Sequence, residues 1–160
     1  MNLRFHAAAS SLCDKLRGSD VCAGNKGASM ASISDFNIAS TAEANREHQV
    51  LLCLLQALCD AVGDKRDAES ASEILEQLIA FSEAHFTSEE LLMRLNSYDD
   101  YENHADEHIH MLDMLNRIGI DHAAGNSSQV LGKAQEVLDF IVNHIATSDK
   151  RFNDHVRRGT

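Results

Sequence analysis

Ala84-His85-Phe86-Thr87-Ser88-Glu89-Glu90-Leu91-Leu92-Met93 places a histidine and a glutamate four residues apart in a run free of glycine and proline. Extended towards the N-terminus, Ile74, Leu78, Phe81, His85, Glu89 and Leu92 recur at steps of three and four. That is the period of one helix face. His85 and Glu89 therefore share the core-facing stripe, where an ionised carboxylate is unfavourable unless something pairs with it. Three other stretches repeat the pattern. His48, Leu52, Leu55, Cys59 and Val62 form one stripe, His104, His108, Met111, Leu115 and Ile118 a second, and Val137, Ile141 and His144 a third. Asp149 stands five residues after His144, offset around the helix but within reach of the same centre.

These stripes belong to four predicted helices, at 41–62, 68–95, 100–118 and 127–157. Gly63-Asp64, the tract from Asn96 to Asp100, and Gly119 to Asn126 separate them. Short connections between long helices imply antiparallel neighbours. The expected fold is all-α: an up-down-up-down four-helix bundle over 41–160, with an N-terminal extension at 1–40. In that extension Leu3, Leu12 and Leu16 suit a short helix. Gly18, Gly24 and Gly27 follow, and then Ile33, Phe36 and Ile38 alternate as in an extended arm. Ser40-Thr41-Ala42-Glu43 reads as a capping box opening the first strong helix. At about 1.5 Å rise per residue, His48 and His85 lie roughly 21 and 26 Å from the first turn. His104 and His108 follow the second break closely enough to share one level near it.

The totals narrow the function. A formal charge of −11 argues against nucleic acid, whose binders carry basic surfaces. No stretch reaches the roughly 18 apolar residues of a membrane span. Cys13, Cys22, Cys53 and Cys59 follow no metal-binding spacing, and four free thiols would suit a reducing compartment. Met1 to Ser11 lacks a signal-like apolar run. A cytoplasmic protein is expected.

Imidazole and carboxylate suit iron, copper, nickel or zinc, and thiolate is absent from the set. Seven side chains are too many for one ion but suit two. If Glu89 and Asp149 bridge both ions and the histidines divide three to two, a bridging oxygen completes six ligands on one ion and five on the other. The open position on a redox-capable metal in an apolar pocket is a place for dioxygen.

The residues resemble the hemerythrin family over about 36–155. Ala84 to Met93 is similar to its H-F-x-x-E-E-x-L-M motif, and His104-Ala105-Asp106-Glu107-His108 to its H-x3-H. Asn143-His144-Ile145 with Asp149 resembles the closing H-I-x4-D, and His48-Gln49 holds the first-helix position. Phe140 stands where tryptophan is common and Asp99 replaces a frequent proline after Tyr98, while Phe36 holds another commonly aromatic position.

The resemblance implies two non-haem iron ions with an oxo or hydroxo bridge and dioxygen as ligand. His104, His108 and His144 would hold one iron, His48 and His85 the open one, and Glu89 and Asp149 would bridge. Phe86, Ile141, Ile145 and Leu51 would shelter the gas, with plain core packing as the competing account. Reversible dioxygen binding for sensing, carriage or storage is the leading function, with a fused output such as a diguanylate cyclase as a possible partner. A di-iron oxidase, peroxidase or nitric-oxide reductase is the alternative, and a structural zinc site a third. Against a ferritin-like oxidase stands the missing E-x-x-H motif on two helices.

Other polar residues have plainer readings. His6, His110, His122 and His155 are expected in solvent, Glu90 and Glu107 facing outward, and Asp99-Asp100 in a solvated turn. Met93, Met111 and Met114 suit the core.

Overall fold

The computed structural model describes residues 42–63 and 68–159. The expected extension at 1–40 and the Ser40 and Thr41 half of the capping box lie outside them. Helix α1 spans Ala42–Gly63, α2 Ala68–Leu95 and α3 Tyr101–Ala123. The fourth rod is composite: α4 (Ser127–His144), a π-helical turn (Ile145–Asp149) and α5 (Lys150–Gly159). Residues at both junctions keep right-handed helical dihedrals, so the rod is continuous. Helix α1 packs on α2, α2 on α3, α3 on α4, and α4 on α1, which closes a ring of four. No described helix is long and apolar enough to cross a membrane.

Two helix ends are fixed by the same hydrogen-bonding device. At the end of α2, Tyr98 N donates to Met93 O at 3.0 Å and Ser97 N to Arg94 O at 3.2 Å. At the end of α3, Asn126 N donates to Asp121 O and Gly125 N to His122 O, both at 2.9 Å. Each pair is a Schellman motif, which satisfies carbonyls left over at a helix end and requires a left-handed residue after it. Gly125 takes that conformation at φ 74°, and Ser97 takes it at φ 50° without glycine's freedom. The expected break at Gly119 is corrected: α3 runs through it to Ala123. A Cβ at Gly119 would meet Leu75 Cδ2 at 3.5 Å, an ordinary contact.

Away from the α2–α3 connection the bundle is filled by leucine, isoleucine and valine. Leu58, Leu78, Leu115, Ile118, Val130 and Val137 are all fully buried. Two stripes need re-registering. In α1 the buried face is Leu51, Leu54, Leu55 and Leu58, while Leu52 and Cys59 are half-buried. In α2 Met93 is buried and Leu92 is 49% exposed. A step of four from Glu89 follows the seam between helices, whereas a step of three leaves it. The expectation of four free thiols is also corrected. Cys59 is in no disulfide, but Cys53 is disulfide-bonded, so the cysteines no longer argue for a reducing compartment.

Helix α5 runs beside the α2–α3 connection. Phe152 is buried against Tyr98, with ring centroids 5.2 Å apart. His155, expected in solvent, donates from Nε2 to Asn96 O at 2.9 Å and sets its ring edge against Tyr98. Arg151 pairs with Asp100 at 3.3 Å. These contacts hold the last helix against the end of the bundle where the polar stripes converge.

Candidate metal centre

Between the α2–α3 connection and the apolar core, four helices turn histidine and carboxylate inward. His48 comes from α1, His85 and Glu89 from α2, His104 and His108 from α3, and His144 and Asp149 from the last rod. All seven are buried. Glu89, His104, His108, His144 and Asp149 present one donor atom each within 4.8 Å of one another. His48 joins them through Asp149, with Nε2 to Oδ2 at 3.0 Å. His85 lies edge-on to His48, their ring centroids 5.0 Å apart.

The π-turn brings Asp149 in. In an unbroken α-helix a residue five positions on lies about 140° around the axis, too far to share a face. A π-turn widens the ring to i→i+5 bonding, so the two positions line up. His144 Nε2 and Asp149 Oδ1 end 2.9 Å apart. Thr147 Oγ1 donates to Asn143 O at 2.7 Å within this segment.

The donor atoms fit a metal better than they fit each other. Leaving one buried polar atom without a partner costs about 1–3 kcal/mol. Here His48 Nε2, Glu89 Oε2, His108 Nε2 and both oxygens of Asp149 lack a hydrogen bond of good geometry. Their close approaches, such as His108 Nε2 to Glu89 Oε2 at 3.4 Å, bring acceptors together without aiming a donor between them. His104 Nε2 and His144 Nε2 face each other at 3.1 Å. Converging lone pairs of nitrogen and oxygen, with no thiolate, are what a borderline transition-metal ion requires.

The buried carboxylates Glu89 and Asp149 favour the protonated form of His104, and Asp149 that of His144. Burial works against a charged His104, but the nearby Asp149 and Glu89 carboxylates outweigh it and raise its pKa to about 9. His144 is raised in the same way, against its burial, chiefly by Asp149. Burial and the charge of Asp149 oppose ionisation of Glu89, yet His104, His108 and His85 bring it down to about 2. Asp149 is held well below the usual carboxylate range, against its burial, by His104, His144 and His48.

A second layer of acids departs from expectation. Glu90 and Glu107 do not simply face outward: His108 Nδ1 bonds Glu90 Oε1 at 3.1 Å, and His144 Nδ1 bonds Glu107 Oε2 at 2.6 Å. Glu47, which the sequence reading passed over, takes His85 Nδ1 at 2.8 Å. Ser148 Oγ also donates to Glu107 at 2.6 Å, and Arg151 donates to Ser148 at 3.1 Å. Burial pushes the Glu107 carboxyl up, but Ser148 and His144 bring it below its ordinary value. The sequence signal was adjacency: each acid neighbours one of the seven inward-facing residues.

Of the apolar residues expected around the gas, Phe86, Leu51, Ile141 and Ile145 are all buried. Phe86 stacks on His108, with centroids 4.1 Å apart and planes at 11°. Phe140 is half-buried and nearly parallel to the His144 ring at 6.1 Å.

A four-helix bundle whose core holds five histidines and two carboxylates around converging lone pairs defines a metal-binding helical domain. The model of the hemerythrin HHE cation binding domain matches residues 40–156, and the chain belongs to that family. It is 31% identical over 97 residues to a myohemerythrin of Theromyzon tessulatum, covering 61% of this chain and 75% of that one. It is 27% identical over 109 residues to a bacteriohemerythrin of Methylococcus capsulatus, covering 68% and 82% respectively. The domain is thus a non-haem di-iron, dioxygen-binding one.

Proposed function

We propose that His104, His108 and His144 would hold one iron, that His48 and His85 would hold the second, the one open to dioxygen, and that Glu89 and Asp149 would serve both. The observation that carries this reading is the set of buried donor atoms converging without hydrogen-bond partners. An iron pair held there would supply the two electrons that reversible dioxygen binding needs. The protein's own part is orientation and exclusion. Five imidazoles direct Nε2 inward, two carboxylates offset the charge, and Phe86, Leu51, Ile141 and Ile145 keep water from the open side. A histidine-rich site with few anionic ligands favours the ferrous state and reversible binding over oxygen activation.

We further propose that the domain senses oxygen, with a signalling output such as a diguanylate cyclase as partner; carriage or storage is the simpler use. The feature favouring sensing is the last rod, which carries His144 and Asp149 and then continues through α5. A change in how Asp149 is held would be delivered along that helix, as switching by helix shifts requires. Enzymatic use as an oxidase, peroxidase or nitric-oxide reductase is the alternative.

The test is to load the protein with iron, reduce it without air, admit oxygen, and follow the visible spectrum and amide exchange together. Two irons per chain and a band that vanishes when oxygen is removed are expected, with exchange in 150–159 changing between the two states. A reversible band with unchanged exchange there would leave carriage or storage. Irreversible oxidation would point to the enzyme, and absence of iron would sink the ligand assignment.

A further inference from the structure

Glu47, Glu90 and Glu107 follow one rule. Each sits beside an inward-facing residue of its own helix, Glu47 beside His48, Glu90 beside Glu89, and Glu107 beside His108. Each bonds a histidine on the next helix along the chain: α1 reaches His85 of α2, α2 reaches His108 of α3, and α3 reaches His144 of α4. A carboxylate oxygen is the acceptor, so in each pair Nδ1 is the donor. That assigns the tautomer and leaves Nε2 as the lone pair facing the centre. His104 is the contrast, since its Nδ1 is buried with no hydrogen-bond partner.

We infer that Glu47, Glu90 and Glu107 are positioning residues for the iron pair, each orienting the ligand histidine of the following helix through Nδ1. A neutral imidazole can present either nitrogen and either tautomer; a fixed acceptor at Nδ1 selects one of each. The negative charge behind the ring also raises its basicity, which strengthens its bond to the more oxidised metal. Both iron positions are reached, because His85 belongs to one and His108 and His144 to the other in the assignment above. All three acids are half-buried, at the rim between site and solvent. Glu107 is the most tightly held, because Ser148 of the π-turn and then Arg151 continue the chain of hydrogen bonds.

The inference rests on the di-iron assignment, and the wild-type protein tests that separately by its iron count. Glu47, Glu90 and Glu107 are each replaced by Ala and by Gln, with helix content checked by circular dichroism. Ferrous iron is titrated against a chelator, and the midpoint potential of the loaded centre is measured. Each Ala variant should bind iron about 10–100-fold more weakly. Each Gln variant, which keeps an acceptor oxygen without the charge, should recover most of that affinity while its midpoint potential rises. A purely structural role would not move the potential. Ala variants with wild-type affinity and potential would overturn the inference, and so would Gln variants as weak as Ala. Where an Ala variant does not fold, an unchanged potential in its Gln counterpart overturns it alone.

Discussion

The two halves of the bundle are built on opposite principles. In one, Leu58, Leu78, Leu115, Ile118 and Val137 bury apolar surface and need no partner but each other. In the other, the same four helices bury seven ionisable side chains, and the inner atoms of His48, Glu89, His108 and Asp149 lack hydrogen-bond partners. The first half is complete as a folded chain, whereas the second is complete only when something cationic sits in it. The contrast teaches that fold and site are separable here: the apolar half holds the helices in register, and that register is what aligns the ligands.

The largest expected effect comes from taking the iron away. A ligand that binds only the folded state stabilises it by about 4 kcal/mol at a thousandfold excess over its Kd. Chelation should lower the thermal midpoint correspondingly while leaving a helical bundle. An iron-free chain that is unfolded would break the separation of the two halves. Next is Leu115→Ala in the apolar half, expected to cost about 2–5 kcal/mol by leaving a cavity. It should do so with and without iron, and two irons per chain should remain.

The pH dependence of the iron-free protein sharpens the comparison on the polar side. His104 and His144 are raised, so the stability they lend is fully present below their ordinary value of 6.5. For His104 that stability is lost as pH climbs through about 9. Glu89 and Asp149 are lowered, so theirs is present above the ordinary carboxylate range and disappears as pH falls, for Glu89 towards about 2. Denaturant midpoints should therefore be highest at mildly acidic pH and decline on both sides. Val137→Ala, in the other half, should shift the whole profile down without changing its shape.

The smallest effects lie at the two Schellman turns. Ser97→Gly should stabilise by about 0.5–1 kcal/mol, because a serine at φ 50° carries a strain that glycine does not. Gly125→Ala, at φ 74°, should destabilise by about 1 kcal/mol. Equal and small responses at both sites would show that neither turn is under backbone control.

Much of this was legible in the sequence because helix periodicity and the chemistry of side chains are both local signals. His85 with Glu89 and His104 with His108, each at i and i+4, mark an inward face without any knowledge of neighbours. Gly125 announces its turn, whereas Ser97 does not, since nothing in its type predicts a left-handed backbone. Gly119 misled for the converse reason: a helix already held by packing on both sides tolerates glycine in its interior. The outer acids were missed because their partners lie on other helices, and Glu90 and Glu107 look like ordinary surface charge until those helices are assembled. Asp149 was placed near the centre by its spacing from His144, but the means of delivering it, a change of helix type, left no mark of glycine or proline.

The π-turn has a further effect on the segment that follows it. One extra residue per turn advances the helix by about 100° relative to an uninterrupted rod. The direction in which Phe152 points is thus fixed by a phase offset introduced at Ile145–Asp149, not by the register of α4. The fourth rod behaves as two gears on one shaft, the first meshed with the apolar half and the second with Tyr98 at the far end. Ligand and docking face are cut to the same offset, so a chain that lost the extra residue would lose both together.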